Sequence, residues 1–326
     1  MRKINGVPVE AHTDLSNLTG GEVLKWDSTN TLMAWEDQDS TGFVPWAFGG
    51  TNSGFSSGGD ARTDRIESFS FTSDSDATDL ANLTLAVTYT TGSSSTTHGY
   101  ATGGWDFSLN YHNTIDKFAF VSTSNATDIG NLSTVRGRAT GQSSVDNGYS
   151  SGGNSSSNVI DKLSFSSDGD AVDIANLSSG RESAAGQSSD TYGYSSGGDS
   201  GAIIDKFTFA SDADATSVGN LTLSRKRVAG QSSSTYGYTS GGLSYSDRID
   251  KFSFSSDSDA TDVGNLISSR YGPGGSSSTT HGYAMGGYNG SSRTNIIEKF
   301  TFASDVDSTD IANLTSVNTN PSGTQY

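Results

Sequence analysis

The feature that most limits what this chain can fold into is a set of landmarks that return six times at nearly constant spacing. A Gly-Gly pair closes a short aromatic segment in GFSSGG, HGYATGG, NGYSSGG, YGYSSGG, YGYTSGG and HGYAMGG, with the second glycine at Gly59, Gly104, Gly153, Gly198, Gly242 and Gly287. Successive copies are 45, 49, 45, 44 and 45 residues apart. Each pair is followed by a segment such as IDKFTF, beginning at Ile66, Ile115, Ile160, Ile204, Ile249 and Ile297. An Asn-Leu dipeptide then ends at Leu83, Leu132, Leu177, Leu221, Leu266 and Leu314. Nine residues beyond the leucine stands a lone glycine: Gly92, Gly141, Gly186, Gly230, Gly275 and, in the C-terminal tail, Gly323. Four landmarks in register over six copies define a repeat unit.

Each unit reads as four strands. The segment around the lone glycine is the first, the aromatic segment before Gly-Gly the second, and IDKFTF the third, with polar and apolar residues alternating. The stretch ending in Asn-Leu is the fourth. Gly-Gly suits a crowded strand end or a positive φ, and the Ser-Asp-x-Asp cluster between the third and fourth strands is turn chemistry. A four-stranded unit of ~45 residues has the size of a propeller blade. One unit cannot cover its own apolar faces, and stacking radially does so. The expected fold is all-β: a six-bladed β-propeller over residues 45–326, preceded by a small hairpin module over 1–44. Blades fall near 45–89, 90–138, 139–183, 184–227, 228–272 and 273–314. Because Gly323 is in register, residues 315–326 are expected to supply the first strand of blade one; a wholly local blade beginning at PWAFGGT is the alternative.

Composition matters because, without periodicity, it would suggest disorder. Ser, Thr, Asn and Asp abound among 40 Gly and 4 Pro, a profile of chains that bury little. Yet 15 Phe and 13 Tyr recur at fixed places in the repeat. The formal charge of −17 repels phosphate backbones and anionic lipid, so no nucleic-acid partner is expected. The chain has no cysteine, so thiol chemistry is excluded. The opening MRKINGVPVE lacks a signal peptide's apolar stretch, and no run reaches the ~20 apolar residues of a membrane helix. A soluble protein without membrane insertion is expected.

The order Gly-Gly, hydrophobic-acid-x-aromatic strand, and an arginine past the fourth strand (Arg136, Arg181, Arg225, Arg270) resembles kelch repeats over roughly residues 45–323. It departs from them in lacking the fourth-strand tryptophan, where the leucine of Asn-Leu stands instead. Residues 21–37 (GEVLKWDSTNTLMAWED) read as a hairpin, with Val23–Trp26 and Leu32–Trp35 flanking an Asp-Ser-Thr-Asn turn. Preceded by DLSNLTGG, this unit resembles the short L-x-W-D hairpins of bacteriophage tail fibres. The acidic, cysteine-free Ser/Thr/Gly-rich repeat is also similar to propeller repeats of phage structural proteins. Two strands alone are marginal in water. Leu24, Trp26, Leu32 and Trp35 are therefore expected to anchor the hairpin to the propeller, to a second copy, or to another virion protein.

Candidate sites fall in two places. The loops between second and third strands vary while the strands do not, as binding loops on a rigid scaffold do. Trp105, Phe107, Tyr111 and His112 in the longest loop, Tyr245 in blade five, and Tyr288 and Arg293 in blade six form the expected ligand-binding set. Exposed aromatics beside amides and acids stack on sugars or pack on protein; the blander reading is that they cover blade edges. The Asp-rich turns offer alternating carboxylates: Asp74, Asp76 and Asp79; Asp168, Asp170 and Asp173; Asp257, Asp259 and Asp262. Related runs contain Asp212 and Asp214, and Asp305, Asp307 and Asp310, whereas blade two keeps only Asp128. Weak Ca²⁺ binding is one reading of this oxygen-rich pattern. A solvated Asx turn, copied because the blade is copied, is the other, and no further cofactor is expected. The recurrent Asn-Leu-Ser/Thr sequons fit a structural turn better than glycans, and His98 and His281 are variants of a tyrosine position.

Catalysis finds little footing. No G-x-S-x-G, H-E-x-x-H or P-loop occurs, and the carboxylates are copied around the repeat rather than gathered once. The resemblances imply a non-enzymatic bacteriophage virion protein, tail-associated or capsid-decorating, whose partners are other virion proteins and a host surface glycan or protein. A kelch-like intracellular scaffold and a polysaccharide-degrading propeller are the rival expectations.

Overall fold

The computed structural model describes residues 3–4, 7–8, 22–27, 32–37, 49–60, 63–199, 201–243 and 246–325. The chain divides into two compact units, Met1–Ala47 and Phe48–Tyr326. In the first, Glu22–Asp27 pairs antiparallel with Leu32–Asp37, setting Leu24 opposite Trp35 and Trp26 opposite Met33. The expected hairpin is present. The side chains of Leu24, Trp26, Leu32 and Trp35, and with them the anchoring role, lie outside the described residues.

The second unit is a ring of six four-stranded antiparallel sheets, each a simple meander, as the repeat predicts. Blade three shows the pattern: Thr140–Ser143 innermost, then Asn147–Ser151, Val159–Ser164 and Val172–Asn176 outermost. Blade one is the exception in chain order. Its inner strand is Ser322–Gln325, which pairs with Ser53–Ser57 so that Gly323 faces Ser56. The tail thus closes the ring, and the local alternative fails because Gly50 instead bridges Ser278 of blade six in parallel.

The third strands correct the simple alternation. In blade three both Ile160 and Asp161 are buried, and so is Leu163. The sheet has no solvent face, because each blade is covered on both sides by its neighbours. Ile160 faces forward, into a cluster with Phe207 and Ala215 of blade four. Leu163 faces backward, onto Tyr100, Ile115 and Leu132 of blade two. The molecule therefore has six small cores, one per interface, including the closing one, where Tyr283, Ile297 and Leu314 meet Phe69 and Ala77 of blade one.

Aromatic stacking fixes the register between blades. The second-strand tyrosine of each blade lies on a phenylalanine just past the third strand of the next. Tyr149 on Phe209, Tyr194 on Phe254 and Tyr238 on Phe302 are all 4.8 Å between centroids and within 22° of parallel. Phe55 takes the tyrosine's place in blade one, 4.8 Å from Phe120, and Tyr283 on Phe71 at 4.7 Å joins blade six to blade one. Offset rings of this kind add ~0.5–1.5 kcal/mol each beyond the area they bury.

At the axis the lone glycines explain themselves. A Cβ on Gly141 would collide with the carbonyl oxygen of Gly92, one on Gly186 with that of Gly141, and so on through Gly323 and Gly275 back to Gly92 on Gly323. The six inner strands approach so closely that only glycine fits.

Candidate functional site

The two faces of the ring differ in kind. One carries the Asp-rich turns between third and fourth strands, where the carboxylates are employed between blades. The first Asp takes the lysine of the preceding blade's third strand: Lys117–Asp168 at 2.8 Å, Lys162–Asp212, Lys206–Asp257 and Lys251–Asp305 at 2.5 Å, and Lys299–Asp74 at 2.8 Å across the closure. The second accepts from the backbone of the preceding Asn-Leu asparagine, as Asp170 does from Asn131 at 2.8 Å and Asp259 from Asn220 at 2.9 Å. The third Asp lies on the fourth strand; Asp79 and Asp262 pair with Arg65 and Arg248 at 3.2 Å, and Asp173 stands across from Asp161. Where Ser68 replaces the lysine of blade one, Thr123 replaces the first Asp of blade two, so donor and acceptor are absent together at that interface. Among the described residues no group of three His, Cys, Asp or Glu side chains is arranged to hold a metal ion.

The opposite face carries the loops between second and third strands and the crossings from each blade to the next. Six residues after each Asn-Leu leucine the crossing reaches the axis in the left-handed region: Tyr89, Arg138, Ser183, Arg227, Gly272 and Asn320, with φ between 55° and 66° in every case. Their backbones form a closed ring of hydrogen bonds. Arg138 N–H donates to Tyr89 C=O, Ser183 to Arg138, Arg227 to Ser183, Gly272 to Arg227, Asn320 to Gly272 and Tyr89 to Asn320, at 2.7–3.3 Å. The backbone is six-fold, but its six positions carry five different residues, arginine alone occurring twice. They surround a mouth of about 80 Å³ above an axial space of about 120 Å³ lined by the inner strands.

Across this mouth runs a strip of aromatic rings and guanidinium groups. Tyr111 lies 5.7 Å from Trp105, and Trp105 meets Tyr89 edge-on at 5.4 Å. The Arg138 guanidinium lies 4.7 Å from the Tyr89 ring and 5.0 Å from Trp105. Arg227 lies 5.6 Å from Tyr89 on its other side and 5.2 Å from Tyr271, which in turn is 5.4 Å from Tyr288. Cation–π contacts of this sort hold both side chains at ~0.5–2 kcal/mol apiece. Arg138 is also paired with Glu182 at 2.7 Å. Burial, then the Asp60 carboxylate, pushes the Tyr89 hydroxyl up, so it stays protonated at neutral pH.

Beside the strip, a pocket of about 220 Å³ is lined by Val87, Thr88, Trp105, Phe107 and Leu109, with Asp60 and with Arg293 from blade six. It lies where the repeat loses an arginine. At four interfaces the arginine past the fourth strand is buried on the third-strand acid of the next blade: Arg136–Asp161 at 2.8 Å, Arg181–Asp205 at 2.7 Å, Arg225–Asp250 at 3.1 Å, and Arg270–Glu298. Asn318 replaces it before Glu67, and Val87 before Asp116. Among the described residues Asp116 is buried with only Thr84 to hold it, through N–H at 2.8 Å and O–H at 2.7 Å, and burial raises its pKa.

Of the residues singled out in the sequence, Trp105, Phe107 and Arg293 are brought together at this pocket, and Tyr111 and Tyr288 form the two ends of the strip. Phe107 is 44 % exposed and Leu109 67 %, more than a blade-edge cover requires. His112 is tied to Asp106 at 3.2 Å, and Asp106 is held down to about 2, first by the backbone and side-chain N–H groups of Asn110. Tyr245 lies outside the described residues. Sequence reasoning missed Tyr89, Arg138, Arg227 and Tyr271. A signal was there: the sixth position after each Asn-Leu leucine carries five different residues in six copies, inside an otherwise regular frame. No protein-family model matches the chain, and no curated protein sequence is significantly similar to it.

Proposed function

We propose that this chain is a non-enzymatic binding propeller of a bacteriophage particle, with the N-terminal hairpin as its attachment module and the strip-bearing face turned toward a host surface or another virion protein. The observation that carries the binding part is the broken symmetry: a frame repeated six times departs from its repeat at the ring of axial positions, and there it gathers Tyr89, Trp105, Tyr111, Tyr271 and Tyr288 with two guanidinium groups. Scaffolds that differ from copy to copy at one convergent patch use that patch for recognition. The strip's carboxylates are already engaged, Glu182 by Arg138 and Asp60 by Thr88 at 2.5 Å and Asn320 at 2.9 Å, which favours binding over proton transfer. The particle assignment is supported by the L-x-W-D hairpin ahead of the propeller.

The test is a chain lacking residues 1–44, scored for folding and for entry into particles, beside a full-length Trp105→Ala variant scored for host adsorption. The truncated chain is expected to melt like the full chain and to stay out of particles, and the variant to enter particles and adsorb at least tenfold less. A truncated chain that assembles normally refutes the attachment module. Unchanged adsorption by Trp105→Ala refutes the face.

A further inference from the structure

We infer that the axial mouth is a binding site for a monoanionic sugar acid, its carboxylate held by Arg227 and its hydroxyls by Ser183, Asn320 and Tyr89. This rests on the loop face being the binding face and adds the chemistry of what it takes. Arg138 and Arg227 both reach the mouth, but only Arg138 has an acidic partner, Glu182. The Arg227 side chain, half-buried between the Tyr89 and Tyr271 rings, makes no hydrogen bond to any described residue, although a guanidinium carries five N–H donors in a fork matched to a carboxylate. Next to Arg227 in the axial ring, Ser183 is 8 % exposed and its Oγ is buried without a hydrogen-bond partner among the described residues. Both line the mouth, and an unsatisfied buried hydroxyl beside an unmatched cation is a costly arrangement that a ligand bound there would relieve. Asn320, which donates to Asp60 at 2.9 Å, and the protonated Tyr89 hydroxyl complete a polar rim.

Charge selects the class. One guanidinium is neutralised and one is not, so the mouth balances a single negative charge, while the surrounding −17 disfavours a dianion such as phosphate. A space of about 80 Å³ open to the loop face takes the carboxylate and ring edge of one sugar, with Trp105 alongside for the next. Neutral sugars would leave Arg227 unmatched.

The experiment is calorimetric titration of the full chain with sodium glucuronate, glucose and sodium sulfate at low salt. The variants are Arg227→Asn and Ser183→Ala. Asparagine is the residue blade six itself carries at this left-handed position, as Asn320, and tolerates that conformation, so Arg227→Asn should fold. Glucuronate is expected to bind at least tenfold more tightly than glucose or sulfate, to lose at least tenfold in Arg227→Asn, which stays folded with a melting temperature lowered a few degrees by the loss of its two cation–π contacts, and about threefold in Ser183→Ala. Equal binding of glucuronate, glucose and sulfate, or wild-type glucuronate affinity in both variants, overturns the proposal. Binding of a neutral oligosaccharide that is lost in Trp105→Ala and kept in Arg227→Asn overturns the carboxylate assignment while leaving the loop face as the binding face. No binding by any sugar, with adsorption also unchanged in Trp105→Ala, removes both.

Discussion

Replacing Val87 by arginine should stabilise this protein at neutral pH, although placing an arginine at a buried valine ordinarily destabilises severely. Val87 is 5 % exposed and stands where four other interfaces carry a buried arginine on the acid of the next blade. Here that acid, Asp116, is 4 % exposed and has no cation. Removing one partner of a buried pair costs about 3–5 kcal/mol because it strands a charge; the two hydrogen bonds from Thr84 offset part of this. An arginine at 87 reaches Asp116 along the path its counterparts take, with the adjoining pocket of about 220 Å³ as room for its stem. Its own desolvation takes back much of the attraction, so the net gain expected is about 1–2 kcal/mol, a few degrees in melting temperature. The pH dependence makes the test specific. Burial raises the folded pKa of Asp116 above its ordinary 3.8. Folding therefore takes up a proton between about pH 4 and the raised value, and wild-type stability falls as pH rises through that window. Val87→Arg abolishes this fall. As pH falls through that window wild type regains the stability that ionising Asp116 had cost it, while the variant, its acid held ionised by the arginine, gains nothing, so below about pH 4 the variant should be the less stable one. Thermal unfolding of both proteins from pH 3.5 to 7.5 should show the difference changing sign. A variant that melts below wild type at pH 7, or a difference independent of pH, would refute the reasoning.

Four further outcomes follow from the packing and the ion pairs. Tyr194→Phe should be nearly neutral, since Phe55 fills the same position in blade one, whereas Tyr194→Ala should cost about 3–5 kcal/mol in denaturant unfolding. Gly186→Ala should cost at least 1–3 kcal/mol, because its methyl group meets the Gly141 carbonyl in the axial ring; equal midpoints would show that the inner strands part easily. Deleting residues 321–326 should remove the inner strand of blade one with its pairing to Ser53–Ser57, giving earlier melting and fast hydrogen exchange in that blade first. Lys206→Ala, by contrast, loses an ion pair to Asp257, which is 57 % exposed, and should change stability by less than about 1 kcal/mol.

Much of the architecture was legible before any coordinates. The Gly-Gly, Ile-acid and Asn-Leu landmarks located the strands, and Gly323 announced which segment completes blade one, because a strand end or tight crossing has local steric demands that only certain residues meet. The direction each residue faces was less legible. Alternation along IDKFTF assumes a sheet with one wet side, and here Ile204 packs on Phe252 of the next blade while the sheet's other face is covered as well. The loop residues Trp105, Phe107 and Arg293 could be picked out because unusual side chains interrupt a bland sequence. Tyr89, Arg138 and Arg227 were harder to pick out, because each taken alone looks like drift between imperfect copies and only their common position after the Asn-Leu leucine marks them.

The sequence by itself determined the number of blades and the strands within them, since both depend on spacings repeated along the chain; for the closure of the ring it left the tail and a local strand as alternatives, which the pairing of Ser322–Gln325 with Ser53–Ser57 decided. Only the tertiary structure decided that the sixth residue after every Asn-Leu leucine meets its equivalents around one mouth. Curling a linear repeat into a circle places the same register position of every copy side by side, so what varies from copy to copy along the chain becomes a single patch with a chemistry of its own.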